Sequence, residues 1–375
     1  MQGTAEKIAP LTGLRFFAAS AIVIAHCTGL FYPKQIFGSF NLGGAVPLFF
    51  VLSGFILTIN GMRGRTWGDF MVTRYARIWP AHFAAILLLI LVYWPWSLAY
   101  FETAFSVVSL VLNVGLVQML VPVREIYAGY NSVAWSLSAE MAYYAAFPVL
   151  FACAARRPAL SSATMLVAVI ALVLFLPMAF PTMDIGWLQL FNGFWSFTLG
   201  VVAGILFLRQ GSERMSSRWK NAGTPVELFA LAAVIAANGW LGGVQIKDLP
   251  GLHTFITFHG ASITYVALIF VLAHSRGALS RILSLRPIVY LGEVSFCLYL
   301  VHQIVIRWYA DHQQLFAGWH HWTKFLFVVL GSLAVAMSFY HLIEVPARRA
   351  IVGAWRQRRT ERRTSELHPT IKLER

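Results

Sequence analysis

Two residues that lipid tolerates poorly share the first apolar stretch, LTGLRFFAASAIVIAHC: an arginine at 15 and a histidine at 26. Ionisable side chains inside a bilayer are expensive, and each is a functional hypothesis by default. Eleven residues at 100° each come within about 20° of three full turns, so Arg15 and His26 share a helix face roughly 16 Å apart. Ala18, Ala19, Ile22 and Ala25 lie near that stripe and leave room beside it. Arg15 belongs to the inner third of the span and His26 to the outer third. The tamer alternative has Arg15 snorkelling to the inner interface and His26 capping an interhelical hydrogen bond.

Glu140, in NSVAWSLSAEMAYY, sits about two turns into a later span, and His302, in CLYLVHQ, lies in the outer third of another. His26, Glu140 and His302 all fall in the external half, where they could converge. A carboxylate that sets a histidine's tautomer and basicity makes a general base; a buried ion pair or a protonated acid would use the same Glu140. On the opposite side, TRYARIWP puts Arg74 and Arg77 at i, i+3 before the third span, with Pro80 near its first turn. Two guanidiniums on one face suit phosphate, although topology-setting charge explains them too. Ser53 and Gly54 read as close helix packing, and His259 and Glu293 as polar contacts between helices. His82, His253 and His341 fall near interfaces. No zinc, P-loop or Ser-His-Asp signature is present, so no metal is expected. Cys27, Cys153 and Cys297 lie in apolar segments and read as buried thiols.

These residues need helices to hold them, and the composition supplies them. The chain of 375 residues is 58% hydrophobic and 12% charged, with a mean hydropathy of +0.68, whereas a soluble domain carries about a quarter charged residues. This is an all-α integral membrane protein. Apolar length and turn residues predict spans at 11–31, 43–61, 81–100, 132–154, 159–180, 187–208, 225–241, 254–274, 288–309 and 322–344. The first lacks a small-residue cleavage pattern and reads as a span rather than a removed signal. An eleventh stretch, 104–121, is apolar enough to cross. With ten spans and both termini in the cytosol, 24 of the 29 Lys and Arg face inward and five outward. An eleventh would reverse the bias to 10 against 19, so 104–121 is expected to be interfacial or re-entrant on the outer side. The net charge of +14 follows from basic inner loops and implies no nucleic acid. Residues 1–346 form the membrane domain; 347–375 is a basic cytosolic tail, beginning as an amphipathic helix on the anionic leaflet and fraying into disorder.

Taken in order, the motifs resemble the acyltransferase-3 family of polytopic acyltransferases over about residues 10 to 350. The resemblance is carried by LRFFAASAIVIAHC, by PLFFVLSGFIL with Ser53, Gly54 and Phe55, by RYARIWP, by Trp135-Ser136-Leu137 with Glu140, by YLVH ending at His302, and by IEVP from Ile343 to Pro346. The resemblance implies transfer of an acyl group, usually acetyl, from cytosolic acyl-CoA to a hydroxyl of an extracytoplasmic glycan or lipid-linked saccharide. The enzyme would work in a bacterial inner or plasma membrane with no tightly bound cofactor. Arg15, His26, Arg74 and Arg77 are the functional residues it implies. The family often has a second acid after Glu140, where this chain has Met141. With a basic tail in place of a fused extracytoplasmic domain, the chain resembles stand-alone members that decorate exopolysaccharides, lipopolysaccharide or periplasmic glucans.

On this reading Arg74, Arg77 and Arg15 hold acyl-CoA, and His26, with Glu140 and Arg15, performs catalysis. His302, Trp135 and Ser136 face the acceptor. Direct transfer and an acyl-enzyme relay both remain open. The alternative is a transporter using the same Arg, His and Glu as a substrate or proton pathway, although repeated halves and broken helices at matching positions are not found.

Overall fold

The computed structural model describes residues 8–31, 40–60, 66–93, 107–210 and 223–367. Lys7, Lys34, Arg63, Arg65, the basic residues of 211–222 and the tail beyond Leu367 all enter the charge count but lie outside the described residues. The chain runs through α1 (Ala9–Phe31), α2 (Ala45–Asn60), α3 (Trp67–Tyr93), α4 (Val107–Val114), α5 (Arg124–Tyr127), α6 (Trp135–Arg156), α7 (Pro158–Ala179) and α8 (Gln189–Gln210). There follow α9 (Gly223–Leu241), α10 (Pro250–His259), α11 (Ser262–His274), α12 (Ala278–Leu283), α13 (Arg286–Asp311), α14 (His321–Phe339) and α15 (Val345–Leu367). Among the described residues there is no strand, and ten helical stretches are long and apolar enough to cross a membrane. The expected all-α polytopic architecture is observed.

The stretch 104–121 does not cross. From 107 onward it forms α4, whose eight residues extend only about 12 Å, then a turn with Leu116 at φ 57° and a short 3-10 segment at Gln118–Leu120. The chain turns back because its polar groups are met inside protein. Asn113 donates to the Ser109 and Ile126 carbonyls at 2.9 and 3.0 Å, and Gln118 donates to the Ala134 carbonyl at 3.2 Å. Tyr127 donates to Asp184 at 2.6 Å; burial and that bond push its phenol well above the ordinary range.

The third span starts earlier than its hydropathy suggests. Thr66 and Asp69 form a reciprocal cap: the Thr66 backbone N–H donates to the Asp69 carboxylate at 3.0 Å, and the Asp69 N–H to the Thr66 hydroxyl oxygen at 3.2 Å. The helix therefore begins at Trp67 rather than at 81, carries Arg74 and Arg77 within it, and puts Pro80 in its interior. His82 is fully buried there rather than interfacial, with Nε2 2.8 Å from the Asn113 carbonyl. The end predicted at 100 lies outside the described residues.

Backbone-to-backbone contacts join the helices that carry the polar residues. A Cβ on Gly54 would stand 2.2 Å from the Phe197 carbonyl oxygen, and one on Gly200 2.0 Å from that of Val51, so α2 and α8 meet as only glycines permit. Gly292 likewise brings α13 against Thr12 of α1. The eighth span is two helices, broken at Gly260 and Ala261. The tenth continues through a π-helical turn, Tyr340–Glu344, into α15, so the basic segment starts as an extension of the last span. Cys27 and Cys297 are buried, whereas Cys153 is exposed, because it lies on the outward face of α6.

Candidate active site

Five helices, α1, α2, α3, α6 and α13, surround a cavity of about 100 Å³ whose walls include Arg15, Arg74, Arg77, Glu140, Ser53 and Tyr144. α1 contributes Arg15, α3 contributes Arg74 and Arg77, α6 contributes Glu140 and Tyr144, and α2 contributes Ser53. One Glu140 oxygen, Oε1, accepts from the Ser53 hydroxyl at 2.7 Å and from the Tyr144 hydroxyl. Glu140 and Tyr144 are one helical turn apart, so α6 presents both to the same side. Three guanidiniums stand against that single carboxylate, and among the described residues none of the three is in an ion pair. Arg74 lies over the Phe70 ring at 5.7 Å, with its buried Nε lacking a partner among the described residues. Glu344, buried in the π-helical turn, accepts from the Cys297 thiol at 3.1 Å. The cavity is therefore lined by three cations and one carboxylate. Its volume falls below the roughly 300–1,000 Å³ of pockets that enclose drug-sized ligands, so it can enclose only part of such a ligand.

Beyond the cavity, towards the outer face, His26 Nδ1 lies 2.9 Å from His302 Nε2, with the rings stacked at 5.1 Å. The proton positions follow from the partners. His302 Nδ1 is 3.1 Å from the Leu298 carbonyl, which can only accept, so Nδ1 carries the hydrogen and Nε2 of a neutral ring offers a lone pair. His26 Nδ1 then donates to it, leaving the lone pair of His26 on Nε2. His302 is fully buried while His26 is exposed. The pair thus leaves one lone pair, on His26 Nε2, while His302 braces the ring.

A shelf separates the two features. The Tyr299 ring is 5.9 Å from that of His302, and its hydroxyl donates to the Val133 carbonyl at 2.8 Å and accepts from Ser136 at 2.7 Å. Both residues also line the cavity.

A family model of the acyltransferase domain matches residues 8–341. The chain belongs to the acyltransferase-3 family. It is similar to Acyltransferase MdmB of Streptomyces mycarofaciens, 28% identical over 357 residues that cover 88% of this chain and 87% of that protein. It is also similar to Nodulation protein 10 of Rhizobium leguminosarum bv. viciae, 25% identical over 370 residues, covering 89% and 91%. No solved structure matches it significantly. With this membership the transporter alternative falls away.

In this acyltransferase the residues singled out by sequence divide into two groups. Arg15, Arg74, Arg77, Glu140 and Ser136 share the cavity. His26 and His302 pair outside it. The expected convergence of Glu140 with His26 does not occur: Glu140 is held by Ser53 and Tyr144, and the partner of His26 is His302. Trp135 packs edge-on against Phe50 at 6.3 Å. Ser136 belongs to the shelf, and His302 can reach an acceptor only through His26. Sequence reasoning missed Ser53 as a cavity residue, together with Tyr144 and Tyr299. The i, i+4 spacing of Glu140 and Tyr144 was a usable signal, as was the i, i+3 spacing of Tyr299 and His302. Ser53 differs from Gly54 only by facing the cavity instead of α8, which no one-dimensional pattern reveals.

Proposed function

We propose that this acyltransferase takes an acyl group, acetyl in the simplest case, from cytosolic acyl-CoA and delivers it to a hydroxyl of an extracytoplasmic glycan or lipid-linked saccharide. Its setting is a bacterial inner or plasma membrane. One observation supports the reading: a cavity ringed by Arg15, Arg74 and Arg77 is linked through Tyr299 and His302 to an exposed His26. Arg74 and Arg77 hold the CoA phosphates, while Arg15 steadies the arm that reaches inward. Glu140 balances the arginines and fixes the Ser53 and Tyr144 hydroxyls. The acyl end passes the Tyr299–Ser136 shelf to His26. His26 Nε2 removes the acceptor hydroxyl proton as the oxygen attacks the thioester carbonyl. The C–O bond forms, the C–S bond breaks, and the CoA sulfur takes the proton back from His26.

The test is transfer by the purified protein in lipid nanodiscs, with the acyl group labelled and a saccharide acceptor supplied. Wild type should pass label from acyl-CoA to the acceptor. His26→Gln should retain at most about one hundredth of that rate, the lower scale for losing a general base, with acyl-CoA binding unchanged. Near-normal turnover by His26→Gln removes the base assignment. Label that stays on CoA for every acyl-CoA offered, while another acyl donor is consumed, removes the donor assignment.

A further inference from the structure

On the far side of α3 from the arginine cavity, a hollow of about 510 Å³ runs between α3 and α15. Met71, Val72 and Tyr75 form one wall; Ile351, Trp355 and Arg358 form the other. Residues 351, 355 and 358 follow helical spacing, so α15 turns one face to the hollow. Residues 71, 72 and 75 point about 140° away from the mean direction of Arg74 and Arg77, so the two sites are distinct. The walls are pinned together at one end, where the Trp355 indole N–H donates to Asp69 at 2.9 Å and Arg359 pairs with the same carboxylate.

Two independent features indicate what fills it. Tyr75 and Trp355, which line it, are 36% and 37% exposed, the amphipathic aromatics that settle at headgroup depth. The charge bias puts that edge at the cytosolic leaflet. The field there is positive: Arg348, Arg349, Arg356 and Arg358 are exposed on α15, Arg359 is neutralised by Asp69, and Glu361 accepts from Gln357. An apolar slot with a guanidinium at its end matches an acyl chain joined to a phosphate. Its volume lies within the range of pockets that enclose small ligands.

We propose that this hollow holds one anionic phospholipid of the cytosolic leaflet, its chain between Met71, Tyr75 and Ile351 and its phosphate on Arg358. The site is independent of the donor and acceptor assigned above. The experiment is native mass spectrometry of the full chain released from nanodiscs containing phosphatidylglycerol and phosphatidylcholine in equal amounts. Wild type should retain one phosphatidylglycerol in preference. Arg358→Gln should lower that preference about fivefold, the scale for one basic residue at an anionic surface. Ala354→Trp, which fills the slot, should abolish retention of either lipid, and Val72→Trp does the same from the opposite wall should Ala354→Trp not be produced. Thermal unfolding matching wild type serves as the control that each variant is folded. Equal retention of both lipids by wild type, or wild-type retention in a folded slot-filling variant, overturns the proposal. So does a dimer that the slot-filling variants abolish, since a second copy would then be the occupant.

Discussion

Replacing His302 with leucine isolates the bracing of His26 from its chemistry. Leucine keeps an apolar side chain in a fully buried position but offers no acceptor to His26 Nδ1, which lies 2.9 Å from His302 Nε2 in the wild type. Leaving such a donor unmet costs about 1–3 kcal/mol when buried. If all of that falls on the transition state, turnover drops about 5- to 150-fold at 1.36 kcal/mol per decade. Because His26 is itself exposed, water can reach its ring and the lower half of that range is expected, about 5- to 30-fold. His302→Gln supplies a carbonyl oxygen of similar reach and should recover activity to within about threefold, a residual below 1 kcal/mol. The assay is acyl transfer in nanodiscs with kcat and KM separated; KM for the donor should not move, because the arginine cavity does not include His302. Wild-type turnover by His302→Leu refutes the bracing. A glutamine variant no better than the leucine variant refutes the tautomer reasoning.

Three further outcomes can be checked independently. Arg77→Lys keeps the charge but loses the planar two-pronged donor, so donor KM should rise roughly tenfold, the effect of about 1.4 kcal/mol, with little change in kcat; unchanged acyl-CoA affinity would mean that Arg77 only sets topology. Gly200→Ala drives a Cβ to 2.0 Å from the Val51 carbonyl oxygen, so α2 and α8 must part at a cost of about 1–3 kcal/mol. Thermal unfolding should come earlier than in wild type, while Gly353→Ala, with nothing within 4 Å, should not lower it, since alanine suits a helix better than glycine; equal melting of the two variants contradicts the backbone contact. Reporters fused after Arg124 and Arg157 should read outside and cytosol respectively, and an external Arg157 would restore 104–121 as a full crossing.

The sequence by itself determined the membrane as solvent and the ten apolar spans, and its charge distribution carries the expectation of sidedness. Hydrophobic length and the distribution of Lys and Arg are summed properties, indifferent to which helix touches which. It also determined that Arg15 and His26 share a face, since helical period is local, and its motifs sufficed for the family. A local signal went unread at α3, where Thr66 and Asp69 already spell a helix start ahead of the apolar run. The partners were decided only by tertiary structure. Residue counting puts His26 and Glu140 in the same outer half, yet Glu140 lines the cavity with Arg15 while His26 meets His302 outside it. Gly292 lets α13 approach α1 closely and brings His302 to His26, while the Gly54–Gly200 contact fixes α2 so that Ser53 turns to Glu140 and Tyr144. Depth in the membrane follows from counting residues along one helix, but azimuth follows from packing between helices. The active-site pairings depend on azimuth.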